Sequence, residues 1–386
     1  MIERILVGAA ALVYQCAAAA TLTIGVVGRA DDERLEPRRI ELAYLGHPAG
    51  PLIEAVRVAV AESDFELNAA GLKVTVAAAE ARDAADARTQ ILRLERAGAA
   101  AIVLDLPADW IASAAQAARV PLINAGETDD ELRGSRCHPN LLHTIPSERM
   151  RADALAQMLA ARRWSRVLLL AGPRPADASR AAVVQASIRR HGLKLVATRP
   201  FKLSADPRER DMANPLLLTA NTEYDVLWVV DTDGEFARSL PYRLALPRPV
   251  VGDAGLVADA WARNFERYGA PQLDRRFRRG AGRPMTGHDW AAWIAAKAVL
   301  QAALVQPANP TAAVSVKRLT APDFTLDGFK GARVSFRPWD RQLRQPLLLT
   351  DGQGVIGIAP VEGVLHPTNV LDTLGADAAE GLCKPK

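Results

Sequence analysis

Several polar and aromatic residues of this chain fall directly behind short apolar runs. Asp105 follows AAAIVL, with Trp110 a few residues on; Asn124, Ala125 and Gly126 follow PLI; His143 follows NLL. Gly172, Arg174 and Asp177 follow RVLLLA, Asp231 follows VLWVV, and Asp253 follows RPVVG. None of these residues has a catalytic or metal-ligating spacing. The sequence holds no His-Glu-x-x-His, no Cys-x-x-Cys, no Gly-x-Ser-x-Gly and no Walker phosphate loop. DTDG at Asp231–Gly234 resembles the start of a calcium loop but lacks the later ligands, so it reads as a strand end followed by a helix cap. The chemistry open to this set is binding. Arg174 would hold an anion through charge-assisted hydrogen bonds worth about 1.5–3 kcal/mol each, Trp110 would stack on a flat ligand, and amides at helix starts favour negative charge. Plainer roles stand beside these: Arg174 as a surface arginine, Trp110 as rim packing, His143 and His288 as hydrogen-bonded structural histidines. Trp228 lies inside an apolar run and reads as core; Trp290 and Trp293, three apart on one helix, read as packing.

Such residues meet only if the runs before them are strands of a common sheet. IELAYLG (40–46) reads as a buried strand, and PLIEAVRVAVAESDFELNAAG carries helical spacing up to Gly71. LKVTVAAA, DAADARTQILRLERAG, AAIVLDLP, ADWIASAAQAAR and VPLINAG continue the alternation of strand and helix. That alternation means βαβ units and a parallel sheet covered on both faces. At NLLHTIPSERMRADALAQML the pattern pauses in a polar crossing, Ser147 offers an N-cap, and the series begins again with SRVLLLAG. The later segment MTGHDWAAWIAAKAVLQAALVQ is one strong helix, and FKGARVSFRPWDRQLRQPLLLTDGQGVIGIAPV reads as short antiparallel strands returning to both halves. The expected fold is α/β, two doubly wound parallel-sheet lobes joined by a multi-strand hinge, a clamshell whose ligand sits at the carboxyl ends of the strands. Lobe 1 is placed at 38–147 plus about 258–345, lobe 2 at 148–257 plus about 346–370, and a C-terminal tail at 371–386.

The chain has 386 residues, 49% apolar, enough for two cores, and its net charge of +4 comes without a basic block interleaved with aromatics. No nucleic-acid partner is expected. Residues 1–20 have the layout of a signal peptide, an apolar stretch ahead of the Ala17–Ala20 run, with an ordinary N-terminal helix as the alternative. Cleavage near Ala20 would leave Cys137 and Cys383, which in an exported chain form one disulfide or remain two free thiols.

The segments PLINAGETDDELRG…NLLHTIPSERMRADALAQML and GFKGARVSFRPWD resemble the type I periplasmic solute-binding proteins of the leucine/isoleucine/valine-binding-protein group, over Arg39 to Val361. RPMTGHDWAAWIAAKAV, SFRPWDRQLRQPLLL, GVLHPTNVLDTLGAD and EGLC are similar to the subfamily associated with PQQ-dependent alcohol dehydrogenase systems. The resemblance implies a periplasmic, monomeric, non-catalytic binding protein that hands a small ligand to an ABC transporter permease or to such a dehydrogenase system. The wider group places a Ser-Ala-Thr-like triplet where this chain has Asn124-Ala125-Gly126. Loss of those hydroxyls weighs against an amino acid and towards a planar anion, pyrroloquinoline quinone (PQQ) first. No catalytic cofactor and no metal are expected. The alternatives are an amino acid or another small carboxylate as ligand, an enzyme built on two Rossmann-like lobes, or a protein that docks on a dehydrogenase with no ligand in its cleft.

Overall fold

The computed structural model describes residues 20–41 and 44–384. The signal-peptide reading falls on residues outside this range, apart from Ala20.

The first wound sheet has the order β2-β1-β3-β4-β5 and is parallel throughout. Its strands are β1 (Ala20–Arg29), β2 (Leu72–Ala81), β3 (Ala99–Leu104), β4 (Leu122–Asn124) and β5 (Leu141–His143). Among the described residues of 40–46 the expected strand does not form. Its place in the sheet is taken by β1, whose alternating TLTIGVVG buries Leu22, Ile24 and Val26 in the core. Pro37–Glu41 is instead a short helix and Tyr44 to Gly46 lie in a turn region, so this segment stands at the mouth of the sheet rather than within it.

The second sheet has the order β7-β6-β8-β9, also parallel. It comprises β6 (Arg166–Ala171), β7 (Lys194–Pro200), β8 (Val226–Val230) and β9 (Val250–Gly252). The helical stretch between β7 and β8 is broken into a 3-10 piece, Pro207–Ala213, and a helix, Pro215–Thr219. Asn214 and Pro215 account for the break, since the residue before a proline is driven out of the helical region and Asn214 instead caps the second piece.

Between the lobes runs a three-stranded antiparallel sheet, β10 (Val257–Asp259), β14 (Leu347–Thr350) and β15 (Val355–Ala359). The expected returning strands also include β11 (Leu326–Asp327), β12 (Arg333–Phe336) and β13 (Leu343–Arg344), paired antiparallel in that order. The helix Glu148–Ala161 is capped by Ser147, whose hydroxyl accepts from Met150 N, and it carries the chain from lobe 1 into lobe 2. The helix Gly287–Val305 is apolar on nearly every face and buries Trp290 and Trp293 in the lobe 1 core, the packing role read from their spacing.

Cys137 and Cys383 are joined in a disulfide, Cα–Cα 5.6 Å, tying the C-terminal tail to lobe 1. The same tail is held to lobe 2: Arg149 makes paired hydrogen bonds of 2.8 Å to Glu380, and Gly375 N donates to Asp153 Oδ2 at 3.0 Å.

Candidate functional site

The carboxyl ends of the first sheet carry Asp105, Asn124-Ala125-Gly126 and His143 side by side. Asn124 is fully buried and its side chain is spent on the turn it sits in. Its oxygen accepts from Gly126 N and Glu127 N, and its amide nitrogen donates to Glu127 O and His143 Nδ1. His143 Nδ1 is therefore an acceptor, and the imidazole is neutral; burial first, then the nearby Arg133, hold its pKa well below the ordinary value. Ala125 is completely buried, and Gly126 leaves room for Asp105, whose carboxylate a Cβ at 126 would strike. Asp105 Oδ2 accepts from Arg34 Nη2 at 2.9 Å, while the buried Oδ1 has no hydrogen-bond partner among the described residues. Arg34 also donates through Nε to Asp32 Oδ1 at 2.9 Å. Trp110 lies in the first turn of the helix Ala108–Ala115, half-buried against the lobe 1 core.

Across the cleft, lobe 2 presents Gly172, Arg174, Asp177, Asp231 and Asp253. Asp177 organises the strand ends: it accepts from Arg174 N (3.0 Å) and from the amide and hydroxyl of Thr232 (2.8 and 2.6 Å). Gly172 is needed beneath it, because a Cβ there would strike the Asp177 carboxylate. Asp231 accepts from Ala237 N at 2.9 Å, and burial raises its pKa. The Arg174 side chain is half exposed and paired with Asp233. Asp253 accepts from Asp231 N (2.7 Å) and takes a forked pair from Arg180 (2.9 and 2.6 Å). Arg180 turns its third nitrogen, Nε, to Glu148 Oε2 at 3.1 Å. Burial penalises the Glu148 charge, but Arg180, Arg151 and the Thr128 hydroxyl outweigh it and hold its pKa below the ordinary carboxylate value.

These elements enclose a pocket in the cleft. Ala152, Leu155, Val183, Val184, Trp228, Val230 and Ala258 form an apolar wall; Glu148, Arg151, Arg180 and Asp253 supply charge, and Leu45 of lobe 1 covers it. Arg151 is the group left incompletely paired. Its Nη2 lies 3.5 Å from Asp259 Oδ1, and neither Nε nor Nη2 has a hydrogen-bond partner among the described residues. Buried guanidinium hydrogens without acceptors are costly, so a partner is expected to reach them. Of the site residues expected from sequence, Asp253 lines this pocket; Gly252 lies beside it, and Trp228, expected to be core, both packs in the lobe 2 core and lines the pocket. Asp105, Asn124, Gly126 and His143 form a second cluster under Arg34, and Arg174 with Asp177 forms a third at the lobe 2 edge. Glu148, Arg151 and Arg180 escape a reading of strand ends because all three sit on helices; the signal in the sequence is Glu148 and Arg151 three apart at the start of the hinge-crossing helix.

The buried histidines give a measurable pH response. His143 and His288 are both held well below the ordinary imidazole value by burial, His288 with added repulsion from Arg151 and Arg34. The unfolded chain binds protons at about pH 6.5 that the folded chain refuses. Stability is therefore complete above about pH 6.5 and falls as the pH drops below it. Urea unfolding across this range should show the decline, and NMR should find both rings neutral at about pH 5.5; rings that protonate near pH 6.5 would refute it.

The family model described as periplasmic binding protein matches residues 48–241, half of the chain. No curated protein matches it. Among solved structures, a periplasmic binding protein from Burkholderia mallei is similar at 15% identity over 94% of this chain and 98% of the other, with a TM-score of 0.64. The closed leucine-, isoleucine-, valine-, threonine- and alanine-binding protein of Brucella ovis is similar at 14% identity over 95% of this chain and 100% of the other, TM-score 0.65. An ABC transporter solute-binding protein of Rhodopseudomonas palustris BisB5, in complex with 3,4-dihydroxybenzoic acid, is similar at 13% identity over 85% and 92%, TM-score 0.64. With two parallel wound sheets, and with this profile over half its length, the chain belongs to the periplasmic binding protein family.

Proposed function

We propose that the protein is an exported solute-binding protein that captures a small planar anion between its lobes, with PQQ as the first candidate, and delivers it to an ABC transporter permease or a PQQ-dependent dehydrogenase system. One observation carries the reading: Arg151, whose buried Nε and Nη2 have no hydrogen-bond partner among the described residues, lines a pocket whose wall is apolar and includes Trp228. A carboxylate would satisfy the guanidinium while a flat ring lies on the apolar wall. Arg174 is a second cation at the cleft edge, its charge shared with Asp233. The R. palustris protein similar in fold holds a planar aromatic acid, which supports the ligand class without selecting its size. A three-ring acid such as PQQ would need Leu45 withdrawn; a single-ring acid needs less room.

Titration followed by tryptophan fluorescence tests this, with PQQ, 3,4-dihydroxybenzoate and leucine as ligands. PQQ is expected to quench strongly and leucine little. Loss of charge-assisted bonds worth about 1.5–3 kcal/mol should weaken the anion about ten- to a hundredfold in Arg151→Gln, and less in Arg174→Ala. Binding of leucine in preference to both acids would establish the amino-acid alternative instead. Equal affinity in Arg151→Gln and the parent would remove the anion anchor.

A further inference from the structure

The segment that leaves β1 does more than roof the pocket. Tyr44 reaches across the cleft and donates its hydroxyl to the backbone oxygen of Thr232, at 2.6 Å. Its ring is seated on Gly234, which has φ +65° and where any Cβ would lie within the ring. A hydroxyl bonded to a strand-end carbonyl and a ring fitted to a bare backbone are both lost if the lobes part by more than about an ångström, given the steep distance dependence of such bonds.

The next two residues extend the contact. Leu45 covers the pocket and packs towards the β14–β15 turn, where a Cβ on Gly352 would stand 3.0 Å from its Cδ2. The backbone at Gly46, itself at φ +85°, runs beside Arg151 and Asp259. His47 supports Tyr44 edge-on, ring centroids 5.5 Å apart, and is fixed by a 2.7 Å bond to Pro48 O. Three consecutive residues of lobe 1 thus touch lobe 2, the hinge turn and the anion-binding arginine.

We propose that Tyr44 is an interlobe latch that holds the cleft shut before ligand arrives, so that ligand reaches the pocket under Leu45 only when the latch is open. All of the latch contacts are between parts of the chain and need no ligand. Burial pushes the Tyr44 hydroxyl up to about 12, so it remains a neutral donor and the latch does not respond to pH near neutrality. Gly234 has the matching role on lobe 2: it is the residue whose missing side chain receives the ring. The part of the inference that concerns access rests on the anion-binding reading; the latch itself does not.

The test uses full-length mature protein without ligand, with a dye pair on the outer faces of the two lobes. Tyr44→Phe removes only the hydroxyl, Tyr44→Ala the ring as well, and Tyr242→Phe, at an 89% exposed tyrosine, is the control. One neutral hydrogen bond corresponds to about a two- to tenfold change in the closed-to-open ratio, the shift expected for Tyr44→Phe. Tyr44→Ala should open the protein further, and Tyr242→Phe should match the parent. The association rate of 3,4-dihydroxybenzoate should rise in the same order. Identical lobe distances in parent, Tyr44→Phe and Tyr44→Ala would overturn the latch. Opened variants that still bind neither acid would uphold the latch and reject the anion reading.

Discussion

Replacing Arg180 by Met is expected to destabilise lobe 2 by about 3–5 kcal/mol, the usual consequence of removing one partner from a buried ion pair. Arg180 stands between two carboxylates, Glu148 on the hinge-crossing helix and Asp253 at the end of β9, and satisfies both at once. Side-chain exposure of 24, 19 and 12% for the three groups leaves little water to replace it. Met would preserve the aliphatic bulk and abandon two negative charges. Asp253 would keep its bond from Asp231 N, and Glu148 its bond from the Thr128 hydroxyl, but neither neutralises charge. The pH dependence gives the sign. In the parent, Glu148 is held below its unfolded value, so its contribution is present above about pH 4.3 and is lost as the pH falls through the folded value. In Arg180→Met the strongest of the groups that lower it is gone while Arg151 and Thr128 remain, so the gap between parent and variant should be widest at neutral pH and narrow in acid. Urea unfolding at several pH values measures it. A loss below about 1 kcal/mol, or a gap that does not depend on pH, would mean that the triad is a solvated surface cluster.

The lobes, their double winding and the hinge strands were legible because each depends on periodicity. Residues 99–104 and 226–230 are unbroken apolar runs and became central strands, β3 and β8. The start of lobe 1 was not legible. TLTIGVVG stands directly after the small-residue run Ala17–Ala20, so its apolar residues merge with an export signal, and IELAYLG offered a second apolar run for the same strand. Register decides between them: β1 pairs with both β2 and β3 along its length, leaving no slot for 40–46. The displaced segment is the one that supplies Tyr44 and Leu45 to the cleft, so the misplaced strand hid part of the site. The strand-end rule found the right region and mixed two kinds of residue there. Asn124 and Asp177 sit at strand ends because turns need their side chains, which is a folding role. Arg151 and Arg180 project from helices into the same space, and a sequence shows helix faces only where apolar residues mark them.

Arg337→Met is expected to cost about 3–5 kcal/mol and to free the C-terminal tail. Arg337 is fully buried and its guanidinium is the node on which the tail folds. Nε donates to Asp372 Oδ1 at 3.1 Å, Nη1 to Asp340 Oδ2 and Ala376 O at 3.2 Å, and Nη2 to the carbonyls of Leu371 and Leu374. Met would leave three carbonyls without this donor and Asp340 without its cation, while Asp372 would keep Arg344 at 2.7 Å. The tail would then keep Arg344 on Asp372, Trp339 on Ala376 O and its ties to the two lobes, the Cys137–Cys383 bridge to lobe 1 and the Asp153, Gln157, Arg149 and Arg190 contacts to lobe 2. Because those ties belong to different lobes, a slack tail also loosens the back of the hinge. Hydrogen exchange should accelerate over 370–376 in Arg337→Met, and urea unfolding should begin at lower concentration than in the parent. If exchange there is unchanged, the bridge and the lobe 2 contacts alone hold the tail, and Arg337 serves only to neutralise Asp340 and Asp372.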